Sequence, residues 1–122
     1  MLNRYQPLRR RKRLRPMSDR RRDAIPERHA VRWAVFERDG RCLLDRRTSY
    51  GGSCYGPPTF HHLRKEGQGG AYTAENGVTL CAHHNGWVEN YPEVAYAIGL
   101  VLKAGDPPEL AWSRLRTAGL VP

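Results

Sequence analysis

No stretch of this sequence stays apolar for the roughly 20 residues a membrane-spanning helix needs, and mean hydropathy is −0.72. The N-terminus is basic, but no apolar segment follows it, so a secretion signal is not expected. The expectation is a soluble, cytoplasmic protein with no membrane partner. Cysteine is scarce and odd in number: Cys42, Cys54 and Cys81 cannot close a disulfide framework among themselves. In a reducing compartment metal binding is the better reading of such a set. No internal repeat is visible. Acidic residues are also few, 12 against 21 Lys and Arg, leaving a net charge of +9.

What is present is uneven. Residues 1–23 carry ten Lys or Arg and two Asp, a charge of +8, whereas 24–122 are nearly balanced at +1. A block of this kind marks a tail that binds nucleic acid or another acidic surface. Dense charge without an amphipathic period predicts a disordered arm over 1–23, and a domain over 24–122. Arg9, Arg10, Arg11, Lys12, Arg13 and Arg15 are its candidate phosphate contacts. The chain has 122 residues, with 12 Gly and 9 Pro. That is one loop-rich domain, small enough that a structural metal would help its core.

Local signals order the elements. Pro26 and Asp39-Gly40 bracket a helix over 26–38, with Val31, Ala34, Val35 and Phe36 as its core stripe. Residues 59–63 and 77–80 read as short strands joined by a Gly-rich connection, and 81–89 as a helix. Asn90 and Pro92 open another helix, residues 99–103 suit a strand, and Asp106-Pro107 start a last helix ending near Gly119. No element reads as a major-groove recognition helix.

Residues 42–89 hold every Cys, four of the five His, Asn76 and Asn85. On a helix at about 100° per residue, Cys81 and His84 share one face, Asn85 and Glu89 the adjoining one, and His83 points away from both. The first candidate site is therefore Cys42, Cys54, Cys81 and His84 around a structural Zn²⁺. Cys81-x-x-His84 is a zinc half-site by spacing, although eleven residues separate Cys42 from Cys54.

The second candidate site is His61, His62, Asn76, Asn85 and Glu89. The residues Phe60-His61-His62-Leu63, Gly69-Gly70, Glu75-Asn76-Gly77-Val78-Thr79-Leu80-Cys81 and His84-Asn85-Gly86-Trp87-Val88-Glu89 follow in order. With Arg38-Asp39-Gly40-Arg41-Cys42 upstream, this pattern over 38–89 resembles the HNH endonuclease family. The arm and the tail add a weaker likeness to small phage and prophage HNH proteins.

The resemblance implies an α+β fold, a small ββα-metal domain with a zinc knuckle and flanking helices. It implies hydrolysis of DNA phosphodiesters that leaves 5′-phosphate and 3′-hydroxyl ends. His61 would ligate a catalytic divalent ion, His62 would be the general base, and Asn76 would fasten the loop that orients His62. Asn85 stands where many members carry a second ligating His, and Glu89 where some carry another, so the chain looks like an H-N-N variant.

Residue chemistry is compatible with those roles. A His near its usual pKa accepts a proton at neutral pH, and oxygen ligands at Asn85 or Glu89 suit Mg²⁺ or Mn²⁺, with Ni²⁺ a third candidate. One conflict remains: adjacent strand residues face opposite sides, so His61 and His62 share a site only where the strand twists or ends. Arg64, Lys65, Arg46 and Arg47 are further candidate phosphate contacts, and Trp87 is expected to pack in the core. Two other readings stand beside the nuclease: a non-catalytic zinc module that binds nucleic acid, and an accessory to phage DNA packaging beside a terminase.

Overall fold

The computed structural model of the protein describes residues 18–47 and 49–122. The arm residues Arg9, Arg10, Arg11, Lys12, Arg13 and Arg15 lie outside the described residues. The fold is α+β. Helix α1 (Asp19–Asp39) leads into a long loop, then an antiparallel hairpin of β1 (Pro58–His62) and β2 (Gly77–Cys81). Helices α2 (Ala82–Asn90), α3 (Pro92–Ile98) and α4 (Pro108–Thr117) follow. Among the described residues no helix is long and apolar enough to cross a membrane.

Helix α1 starts at Asp19, inside the stretch that charge alone assigns to the arm, and carries Pro26 in its interior rather than its first turn. Asp19 in the first turn suits the positive end of the helix dipole, and the Arg22 amide donates to the Ser18 carbonyl at 2.9 Å. Of the expected stripe, Val35 is buried, Val31 and Phe36 are half-buried, and Ala34 is exposed. The difference has a physical cause: β2 packs against α1 at Val35 and Asp39, the hairpin connection meets it at Arg28, and Ala34 faces neither.

Strand β2 is buried along its whole length. One edge pairs with β1 in the register His61↔Val78 and His62↔Gly77. The other edge is covered by the end of α1 and the chain just after it. The Asp39 carboxylate accepts from the Thr79 amide at 2.8 Å, Arg38 donates to the carbonyls of Gly77 and Ala74 at 2.7 Å each, and the Leu43 amide donates to Thr79 at 3.0 Å. An open edge is thereby closed.

The main core lies between the hairpin and the last three helices, around Leu44, Leu63, Val78, Leu80, Val88, Leu100 and Leu115. Residues 99–103 form no strand. Leu100 and Leu102 are buried there, but the segment has a single backbone–backbone bond to the hairpin region, Leu102 N–H to Leu63 at 2.8 Å, its other hydrogen bonds there coming from the His61 and Arg64 side chains. An apolar Leu-Val-Leu run marks burial, and one such bond makes no ladder.

Candidate metal centre and the adjoining histidine pocket

The four expected zinc ligands meet in space. Cys42 follows α1, Cys54 comes from the long loop, Cys81 ends β2 and caps α2, and His84 lies in the first turn of α2. Their ligand atoms all lie within 4.8 Å of one another. His84 Nδ1 sits 3.4, 3.5 and 3.0 Å from the sulfurs of Cys42, Cys54 and Cys81. A tetrahedral zinc with Zn–S of about 2.3 Å and Zn–N of about 2.0–2.1 Å sets each S···N separation near 3.5 Å. The donor set therefore fits a closed, structural zinc site, and the cluster can hold a metal ion.

The surroundings prepare these donors. His84 Nε2 donates to the Gly52 carbonyl at 3.1 Å, which leaves the Nδ1 lone pair aimed at the three sulfurs. Burial opposes the Cys81 thiolate, but the backbone amides of His84 and Tyr55 outweigh it and lower the thiol's pKa. Burial, then the neighbouring Cys42 charge, pushes the Cys54 thiol up to about 12. A cation must displace that proton to bind.

The irregular Cys42–Cys54 spacing also has a structural cause. The intervening loop packs Tyr50 against Trp87 and places Gly51 under the Trp87 ring, where a Cβ would lie 2.7 Å from Trp87 Cγ. Gly51 has φ +87°, so a side chain is excluded there by conformation as well as by space. The Gly51 carbonyl accepts from His83 Nε2 at 2.7 Å. His83 is thus exposed and outside both candidate sites, as its helical position indicates.

His61, His62, Asn85 and Glu89 line one shallow pocket of about 210 Å³, together with Phe60, Lys65 and Glu66. The two histidines do face opposite sides of β1. His61 is buried toward α2 and the loop after α3, while the His62 ring meets Phe60 and Tyr72 edge-on, at 4.9 and 5.1 Å. They share a pocket because His62 is the last residue of the strand.

His61 Nε2 donates to the Leu100 carbonyl at 2.6 Å, and burial lowers the ring's pKa, favouring neutral imidazole with a lone pair on Nδ1. That lone pair faces Asn85 Oδ1 at 3.2 Å. The Asn85 amide nitrogen donates to Thr59 Oγ1 at 3.0 Å, and the Thr59 hydroxyl donates to the Leu80 carbonyl at 2.7 Å. With the amide turned over, Nδ2 donates to His61 Nδ1 and the Thr59 hydroxyl swings to donate to Asn85 Oδ1, so the three side chains hydrogen-bond in sequence. The cysteine cluster remains the one group of three or more His, Cys, Asp or Glu ligands that converges on a metal position among the described residues.

His62 Nε2 is buried without a hydrogen-bond partner, and the nearest charge is the Glu66 carboxylate at 3.7 Å. Burial lowers the His62 pKa, partly offset by Glu66. Asn76 does not touch His62. Its Oδ1 accepts from the Arg64 amide at 2.8 Å, and its Nδ2 donates to the carbonyls of Arg64 and Ala71 at 3.0 and 2.9 Å. It fastens the loop that leaves His62. The two loop glycines serve different ends: Gly69 is left-handed at φ +81°, while a Cβ on Gly70 would lie 1.8 Å from the Arg64 carbonyl oxygen.

Several basic candidates are engaged within the chain. Arg64 donates to the carbonyls of Lys103 and Asp106, Arg47 to Gly119 at 2.7 Å, and Lys65 to Glu89 at 3.1 Å. Glu89 therefore points its carboxylate at Lys65. Trp87 is half-buried against the core and stacks on Tyr91.

Sequence reasoning missed Glu66, Tyr72 and the Leu100 carbonyl. Glu66 and Tyr72 lie in a loop with no period to read, and a backbone carbonyl carries no residue signature. The antiparallel hairpin with α2 against it is loosely consistent with a ββα-metal fold. Compared with known proteins, the chain matches no family model, no curated protein and no solved structure.

Proposed function

We propose that the protein is a zinc-stapled, HNH-type endonuclease acting on DNA, with the zinc cluster structural and the histidine pocket catalytic. The observation that carries this reading is the single pocket that sets His61 Nδ1 and Asn85 Oδ1 3.2 Å apart beside the unpartnered His62 Nε2. A divalent cation would be held by His61 Nδ1 and Asn85 Oδ1; Mg²⁺ or Mn²⁺ suits the oxygen donor, with Ni²⁺ also a candidate. When bound, such an ion supplies charge stabilisation to a phosphate in the pocket. His62, neutral at physiological pH by the lowering of its pKa, takes the proton of the attacking water. Asn76 holds the backbone after His62, and Glu89 completes the ligand set only by releasing Lys65. The basic arm, including Arg9 to Arg13 and Arg15, tracks the DNA backbone.

A second reading is favoured by the cysteine cluster itself. It is a closed four-donor set, which suits a structural site and leaves no open position for catalysis. On that ground the domain is a zinc-containing nucleic-acid-binding module without cleavage, including one that serves phage DNA packaging beside a terminase.

Plasmid cleavage separates the two. Wild-type protein and His62→Ala are incubated with EDTA, Mg²⁺, Mn²⁺ or Ni²⁺, with zinc content measured in parallel. The nuclease reading expects cleavage by wild type alone, abolished by EDTA, with zinc and fold retained in the variant. Cleavage surviving in His62→Ala would remove the assigned base. DNA binding without cleavage under any metal would establish the binding module.

A further inference from the structure

Beside the stripe that α1 buries at Val35, its surface carries a second pattern, which reaches the hairpin only at its Arg28 edge and at Phe36. Ile25, Arg28, His29, Arg32, Trp33 and Phe36 recur at spacings of three and four, within an arc of about 140° at 100° per residue. This spacing normally marks a buried apolar stripe. Here Arg28, His29 and Arg32 are exposed, Trp33 is 66% exposed, and Ile25 and Phe36 are only half-buried. Val35, the buried contact of α1, lies just beyond the Arg28 edge of the arc. Between Ile25 and Phe36 the one acidic residue, Glu27, lies outside the arc.

We infer that this face of α1 is a nucleic-acid docking surface, with Arg28 and Arg32 on backbone phosphates and Trp33 against sugar or base. The inference rests on the nucleic-acid reading above and adds the element that makes the contact. Charge complementarity selects a polyanion. Arg32 lies between Ile25 and Phe36 along the helix and about 20° and 40° from them around it, so burying the apolar groups in a bilayer would drag a guanidinium in with them. A helix about 10–12 Å across fits a major groove about 12 Å wide. From Ile25 to Phe36 the face runs about 17 Å, the rise of about five base pairs.

The face also leads to the histidine pocket. Arg28 lies over the Tyr72 ring at 5.5 Å and 3.9 Å from Glu66, and Glu66 is 3.7 Å from His62 Nε2. Trp33, set edge-on to Phe36 at 6.2 Å, stands one helical turn further along with its ring open to solvent. A nucleic-acid strand held on α1 thus has its phosphates directed toward His62.

The test uses the full chain and a short labelled DNA duplex, with binding followed by fluorescence anisotropy across a salt series. Arg32→Glu, Arg32→Ala, Trp33→Ala and, just outside the arc beyond Trp33, Glu37→Gln are compared with wild type, each checked for zinc content and circular dichroism. Arg32→Ala is expected to lower the log–log salt slope by about 0.9, the loss of one phosphate contact. Arg32→Glu should weaken binding by roughly tenfold or more at low salt, as a like charge meets the backbone. Trp33→Ala should weaken binding with the slope unchanged, and Glu37→Gln should not weaken it. Wild-type affinity and slope in both Arg32 variants would overturn the inference and leave the proposed function standing. The inference also falls if wild type binds phosphatidylserine vesicles and these substitutions abolish that binding but not DNA binding. Failure of wild type to bind DNA at all would overturn both.

Discussion

Replacing Asn76 separates a hydrogen-bonding role from a steric one. In the folded chain Asn76 makes three bonds to the backbone at 2.8, 3.0 and 2.9 Å, one as acceptor and two as donor. Each such bond contributes about 1 kcal/mol net, and partly buried groups left unpaired raise the cost. Asn76→Ala should therefore lose about 2–4 kcal/mol, a large share of the roughly 5–15 kcal/mol typical of a domain this size.

Asn76→Asp is almost isosteric yet should be no better at neutral pH. One oxygen still accepts from Arg64, but the other replaces a donor and faces the carbonyls of Arg64 and Ala71. Urea unfolding of zinc-loaded protein measures the loss, and amide exchange over residues 63–71 locates it. Wild-type stability in Asn76→Asp, or unchanged exchange in that loop, would refute the reasoning.

Elemental analysis should find one zinc per chain. Because Cys54 without a cation stays protonated up to about 12, zinc binding releases its proton and must weaken as pH falls; zinc retention independent of pH between neutral and mildly acidic conditions would contradict the site. Gly70→Ala should destabilise by well over the ~0.5 kcal/mol within which ordinary surface changes fall, since its Cβ meets the Arg64 carbonyl oxygen at 1.8 Å, and a melt within a degree of wild type would argue against that packing. Burial lowers the folded pKa of His61 below its ordinary 6.5, so the unfolded chain binds a proton that the folded one refuses. Its contribution to stability is therefore complete above 6.5 and declines as pH drops toward the folded value, by up to about 1.4 kcal/mol per pH unit. His61→Gln should flatten that decline in urea titrations, and parallel curves would show that another group is responsible. The plasmid experiment with His62→Ala adds the prediction on chemistry.

The sequence alone determined the hairpin, helices α2 to α4 and the ligand set Cys42, Cys54, Cys81 and His84. Those depend on local rules: short apolar segments bounded by turn residues, capping residues, and a Cys-x-x-His step that one helical turn converts into a pair of candidate ligands. It also marked His61, His62, Asn76 and Asn85 as belonging together, through a motif rather than through any period.

Only the tertiary structure decided how they are arranged. It put the two histidines on opposite faces at the end of one strand, gave Asn76 its three backbone partners, and turned Glu89 and Lys65 toward each other. It showed residues 99–103 as a buried loop, and it carried α1 seven residues further back than its proline suggested. A helical pattern fixes which residues share a face, whereas burial depends on what the rest of the chain places against it. For α1 the hairpin covers Val35 and leaves Arg32 and Trp33 open, and no single-segment rule could tell those two faces apart.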